Sequence, residues 1–247
     1  MPVDSTCSTL KTLEKTMPDA SDKRMVLYWG NGSMHSWQVM LLLHELGVDY
    51  EARRLKLMGI RETRSREFLA INPRGEVPAL VDGSHVVCES WAMLFYLSER
   101  FREPDLLMRA HAPTHGRVLQ SMFETNLLRK AYRPLEALFL GVDRISAYER
   151  QQARAAPDRV FTELETWEER LEQTDHIAHD TFTLADCVFY ATLGYQLRRG
   201  LDLSDFPKLQ AYVERVAARP SAVAAHPVGW KGVGKANLFR QATRIAE

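Results

Sequence analysis

Every run in this 247-residue sequence that reads as a β-strand lies before residue 89, and beyond residue 113 apolar residues recur only at helical spacing. A chain divided in this way calls for two cores of different kinds, one built on a sheet and one on helices packed together. The first part opens with the β-prone run Val26-Leu27-Tyr28-Trp29 and the turn Gly30-Asn31-Gly32. From Trp37 the spacing is helical, with Val39, Leu42, Leu43 and Leu46 on one stripe and Gly47 as the stop. A second strand is expected over 50–57, which completes a parallel β-α-β unit.

A short helix over 65–71 then ends at Asn72-Pro73. Two brief strands, Ala79-Leu80-Val81 and Val86-Val87-Cys88, flank the turn Asp82-Gly83, and a helix is expected over 90–101. This order describes a small α/β sandwich of the thioredoxin type over 25–103, preceded by a flexible polar arm over 1–24. The stretch 104–112 reads as a linker, and 113–247 as an all-α helix bundle. Its amphipathic segments span 114–140, 146–171, 184–197 and 207–218, with Pro134 expected to kink or interrupt the first. Thr183-Leu184-Ala185-Asp186 is a capping box at a helix start, with Phe182 and Cys187 placed as a hydrophobic staple, so Asp186 reads as a cap and not as a catalytic acid.

Charge and cysteine content remove several classes of function. Thirty-two basic residues balance thirty-two acidic ones, so no global field draws the chain to nucleic acid or to an anionic membrane. No apolar run approaches the roughly 20 residues that a membrane-spanning helix needs. Cys7, Cys88 and Cys187 are odd in number and scattered, which fits neither a disulfide framework nor a zinc site and suits a reducing compartment. The first two dozen residues lack the apolar core of a signal peptide, so a cytoplasmic protein is expected. His176 and His179 with Asp175 and Asp180 read as a polar loop, and no metal is expected.

Three segments of the first part carry chemistry: Gly32 to Trp37, Gly75 to Leu80, and Cys88-Glu89-Ser90. Ser33 and Ser36 sit between a strand end and a helix start, where a serine caps the helix and where an anion also finds free amides and positive partial charge. A hydroxyl held there can donate to a thiolate, and hydrogen bonding to the charged form lowers a thiol's pKa. Val77-Pro78 introduces a strand, where proline is tolerated; a trans bond is the statistical default, and a cis bond would turn the Val77 backbone outward toward an extended peptide. Glu89 and Ser90 are read either as a helix cap or as a pair for the ammonium and carboxylate of an amino-acid end.

In this order and at these separations the three segments resemble the glutathione-binding domain of the soluble glutathione transferases. Asn72-Pro73-Arg74-Gly75, Val77-Pro78 and Glu89-Ser90 are similar to the family signature. Trp29 to Ser33 and Met122-Phe123-Glu124 resemble the rho class, with the zeta class next nearest. The resemblance implies that Ser33 donates to the glutathione sulfur, that Val77 and its cis-Pro78 pair with the cysteinyl unit, and that Glu89 and Ser90 hold the γ-glutamyl end. Lys56, Arg61 and Arg64 are its candidates for the glycine carboxylate. It further implies glutathione as cosubstrate, a homodimer, and conjugation of hydrophobic electrophiles in detoxification. Met34, Met122, Phe123 and Asn126 are candidate walls of an apolar electrophile cleft, though core packing explains Met122 and Phe123 equally well.

The sequence departs from the family pattern at Glu76, where glutamine or lysine is more usual, and at Met34-His35-Ser36. His35, Ser36 and Glu76 are therefore assisting candidates, His35 either tuning the thiol or filling space. No cysteine lies between Gly30 and Trp37, which argues against a mainly redox role because disulfide exchange requires an enzyme thiolate. A zeta-like isomerase, a dehalogenase and a non-catalytic assembly module of the same fold stand as the rival readings.

Overall fold

The computed structural model describes residues 25–102, 104–230, 234 and 236–245; the expected arm over 1–24, with Cys7 in it, lies outside them. The chain divides into two compact units, with the boundary between Phe101 and Arg102.

The first unit is a four-stranded sheet with helices. Strand β1 (Met25–Gly30) leads into α1 (Met34–Glu45), then β2 (Tyr50–Leu55), α2 (Arg66–Ile71), β3 (Ala79–Asp82), β4 (His85–Cys88) and α3 (Ser90–Arg100). The strand order is β2-β1-β3-β4. β1 runs parallel to β2, pairing Met25 with Tyr50, and antiparallel to β3, pairing Leu27 with Leu80. Successive strand side chains alternate between faces. Val26, Tyr28, Ala79 and Val81 accordingly pack with Phe68 and Ile71 of α2 on one side of the sheet. Leu27 and Leu80 are fully buried, and α1 packs against α3. Asp82, at the end of β3, accepts from Tyr96 Oη at 2.6 Å and pairs with Arg100 Nε at 2.9 Å, which fastens α3 to the sheet.

In this unit two boundaries differ from the sequence expectation by more than one residue. α1 begins at Met34 and not at Trp37, because Ser33 caps it by accepting from Ser36 N–H. β2 stops at Leu55, because Lys56 N–H turns to the Glu62 carboxylate at 2.7 Å and the chain leaves the ladder.

The second unit is helical throughout its described residues. α4 (Ala112–Tyr132) runs into a 3₁₀ segment, Arg133–Leu140. Pro134 lacks the N–H that would continue the α-helical ladder, and the rod gives way there. The stretch expected as one helix over 146–171 is two, α5 (Ala147–Arg154) and α6 (Ala156–Leu171), because Pro157 is one of the first residues of a new helix. Then follow α7 (Leu184–Leu197), α8 (Pro207–Ala217) and two short helices that the pattern did not signal, α9 (Pro220–Ala225) and α10 (Leu238–Arg244). The core stacks Trp167 on Phe189 at 4.4 Å between ring centroids and Phe189 against Tyr212 at 5.8 Å. Thr183 and Asp186 form the expected capping box at the head of α7.

Candidate functional site

The sheet topology brings the three segments to one end of the first unit. β4 is antiparallel to β3, and β3 is antiparallel to β1, so β1 and β4 finish at the same end, where β3 begins. Tyr28 pairs with Ala79 and Ala79 with Cys88. The loop 31–33, the Val77-Pro78 turn and the Glu89-Ser90 corner therefore meet at that end, and α1 and α3 both start there.

Ser33 is the N-cap of α1: its Oγ accepts from Ser36 N–H at 3.1 Å, and its own N–H donates to Gly30 O at 3.1 Å. A hydroxyl has one proton to give as well as lone pairs. The cap uses a lone pair, and the Ser33 hydroxyl proton meets no acceptor among the described residues. Ser33 is half-buried, whereas Ser36 is buried and its Oγ accepts from Gly30 N–H at 3.3 Å. Ser36 thus holds the loop from inside. Met34 is buried as well. His35 is half-buried, with Nδ1 at 3.2 Å from Ser90 Oγ on α3.

The Val77–Pro78 bond is cis. Val77 is half-buried, and neither its N–H nor its carbonyl is engaged by another described residue. Asn72, which the sequence marks as a helix end and as part of the family signature, shapes the approach to this turn. Its Nδ2 donates to Glu76 O at 2.7 Å, and its Oδ1 accepts from Arg74 N–H at 3.1 Å. The Asn-Pro pair five residues ahead of Val-Pro was the available signal. Gly75, at φ 62°, is required here, because a Cβ would sit 2.7 Å from Thr63 O. Glu76 itself is exposed.

Glu89 takes the N-cap position of α3 at φ 70°, a conformation costing an L-residue about 1–3 kcal/mol, and its carboxylate has no hydrogen-bond partner among the described residues. Ser90 is buried. Of the three basic candidates, Arg64 is tied to the Val77 turn, donating from Nη1 to Arg74 O at 3.1 Å. Lys56 and Arg61 are exposed on a loop pinned at its base, where Lys56 N–H donates to Glu62 Oε2 and Glu62 N–H donates to Lys56 O at 3.0 Å. Burial pushes the Cys88 thiol up, with Glu89 adding to it and Arg74 opposing, so it is protonated at neutral pH.

With this end of the first unit described, relatives decide what it belongs to. Residues 24–99 match the family model for the glutathione S-transferase N-terminal domain and residues 121–220 that for the glutathione S-transferase C-terminal domain. Glutathione S-transferase A of Pleuronectes platessa is 31% identical over 84% of this chain and 93% of its own length. The chain belongs to the glutathione S-transferase family. A crystal structure of a glutathione S-transferase from the Antarctic clam Laternula elliptica superposes with a TM-score of 0.78 at 30% identity, covering 87% of this chain and 98% of that one. The zeta-class glutathione S-transferase of Euphorbia esula is 36% identical over 47% of this chain and 49% of its own length.

The thioredoxin-like and helical domains are therefore those of a glutathione transferase. In the helical domain the candidates for the electrophile pocket separate: Met122 is fully buried in the core, Phe123 is 57% exposed and Asn126 is half-buried, so α4 turns Met122 inward and Phe123 outward. The period alone could not distinguish these faces. A cleft of about 290 Å³ between α4 and α6 is lined by Arg117, Gln120, Thr166, Glu169, Arg170 and Gln173, a polar lining unsuited to a hydrophobic compound. An aromatic group that sequence reasoning missed lies elsewhere in this domain. Tyr195 stands 6.2 Å from Tyr132 and 5.9 Å from Trp230, with the Arg199 guanidinium 3.2 Å over the Tyr195 ring. Among the described residues no helix is long and apolar enough to cross a membrane, and no group of three or more His, Cys, Asp or Glu is gathered to hold a metal.

Proposed function

We propose that the enzyme adds the glutathione thiolate to hydrophobic electrophiles, with Ser33 stabilising the sulfur anion. The observation that carries this reading is the Ser33 hydroxyl proton, left over after the side-chain oxygen caps α1, at the positive end of the helix. A donor held in place before the anion forms needs no reorganisation as the reaction proceeds. The unengaged Val77 backbone offers one donor and one acceptor for the cysteinyl unit, and the Glu89 carboxylate and Ser90 hydroxyl serve the ammonium and carboxylate of the γ-glutamyl end. Lys56, Arg61 or Arg64 meets the glycine carboxylate. Binding of the tripeptide by all of these converts the bimolecular attack into one between oriented partners.

The names of the relatives support glutathione as the cosubstrate. The enzyme acts in the cytoplasm as a homodimer, with α3 and α4 toward the partner. Phe123 and Leu127, exposed one helical turn apart on α4, support that face. The test is initial-rate conjugation of glutathione to chlorodinitrobenzene and a panel of small electrophiles, together with retention on immobilised glutathione. Turnover with any of them is the expected result. No turnover and no retention would sink the transferase reading and favour an assembly module of the same fold.

A further inference from the structure

His35 links the two helix starts that form the proposed glutathione site. Its Nδ1 lies 3.2 Å from Ser90 Oγ, across 55 residues of sequence, joining the first turn of α1 to the first residue of α3. The direction of that hydrogen bond decides what Ser90 can offer a bound carboxylate. A serine hydroxyl has one proton to donate, and an ionised carboxylate only accepts. If Nδ1 were an acceptor, His35 and a carboxylate ligand would compete for the same Ser90 proton. If Nδ1 carries the hydrogen, Ser90 Oγ accepts from His35 and its proton is released for the ligand. Two hydrogen bonds in series then polarise each other.

Resting on the reading of Ser90 as the site of the γ-glutamyl carboxylate, we propose that His35 is a positioning residue for glutathione: its Nδ1–H donates to Ser90 Oγ and commits the Ser90 proton to that carboxylate. The chain is His35 Nδ1–H to Ser90 Oγ, and Ser90 O–H to the ligand oxygen. His35 then governs how tightly the peptide end is held, while Ser33, on the same turn of α1, governs the sulfur. The sequence left open whether His35 tunes the thiol or fills space. The contact with Ser90 points to neither.

Isothermal titration of glutathione into the full-length enzyme, with steady-state conjugation alongside, compares wild type, His35→Leu, His35→Asn, Ser90→Ala and His35→Leu/Ser90→Ala. Loss of one such hydrogen bond is expected to raise Kd and KM for glutathione about 3–10-fold in His35→Leu, with kcat changed less than about twofold. In His35→Asn the amide Nδ2–H occupies the place of Nδ1–H, and affinity should return to within about twofold of wild type even if the leucine variant folds poorly. In the Ser90→Ala background the leucine should add less than about twofold, since its effect passes through the serine. Three results would overturn the proposal: affinity unchanged in His35→Leu, full multiplication of the two effects in the double variant, or a fall in kcat with Kd unaltered, which would place His35 at the sulfur. A wild type that binds no glutathione overturns the functional reading and this inference with it. Binding that ignores His35 overturns the inference alone.

Discussion

Two helix starts in this enzyme, Ser33-Met34-His35-Ser36 at α1 and Thr183-Leu184-Ala185-Asp186 at α7, begin with the same cap and complete it differently. Thr183 is fully buried, and its Oγ1 accepts from Ala185 N–H at 3.3 Å. Its N–H and its hydroxyl both donate to Asp186 Oδ2, at 2.7 and 3.1 Å, so its proton is used up. Asp186 is itself fully buried and also accepts from Ile177 N–H at 3.1 Å, with His176 Nδ1 at 3.3 Å. At α1 the residue in the place of Asp186 is Ser36, whose oxygen turns to Gly30 N–H. No carboxylate stands there to take the Ser33 proton. A cap closed by an acid is a structural joint, and one left unclosed at an accessible position has a donor to spare for a ligand anion.

The largest effect expected from breaking this contrast is at the closed cap. Asp186→Ala leaves several buried donors unsatisfied and should lower stability by about 3–5 kcal/mol, read as a shift of the urea unfolding midpoint. A midpoint equal to that of wild type would show that the box does not hold α7. Next, Ser33→Ala should lower kcat/KM by about 10²-fold or more, the size of losing one anion-stabilising donor, while its stability falls by about 1 kcal/mol. Thr183→Ala is the mirror image: stability drops by about 1–2 kcal/mol and kcat/KM of the folded enzyme stays level. Equal activity losses in the two variants would end the distinction.

The pH profile sharpens the same point with a smaller signal. A hydrogen bond to the thiolate favours the charged form, so kcat/KM of wild type should rise with pH and flatten below about 8.5, the ordinary value of a cysteine thiol. In Ser33→Ala the rise should move up toward about 8.5, and a profile identical to wild type would remove the serine from thiol activation. The smallest change is expected for Ser33→Thr, which keeps both the cap and the hydroxyl and should stay within about tenfold of wild type.

The two caps were legible because capping is local: four consecutive residues carry both the Thr183 box and the Ser33 cap. The same holds for the strand order in sequence, the interruption at Pro134 and the start of α8 at Pro207. Local patterns failed where a helix was short or a break was disguised. α9 and α10 have six and seven residues, under two full turns, too few to display a period. The division at Pro157 was hidden because apolar residues continue at helical spacing on both sides of it. Within the candidate site, Asn72 was named in the signature but its role was not legible, because it holds the Glu76 carbonyl and the Arg74 amide, and a side chain's backbone partners leave no mark on composition.

Residue identity and spacing alone determined the two-domain plan, the caps, and the short segments from which the proposed site is drawn. Tertiary structure decided which residues meet. The meeting of His35 with Ser90 depends on β1 and β4 ending at the same side of a sheet ordered β2-β1-β3-β4. So does the arrival of Val77-Pro78 beside them, at the start of β3. Which side of α4 is buried, with Met122 inside and Phe123 outside, was settled by the helices packed against it. Hydrogen bonds and helix periods act over a few residues and can be read along the chain. Contacts across 55 residues are set by how strands pair and layers stack, and those choices are made by the whole fold at once.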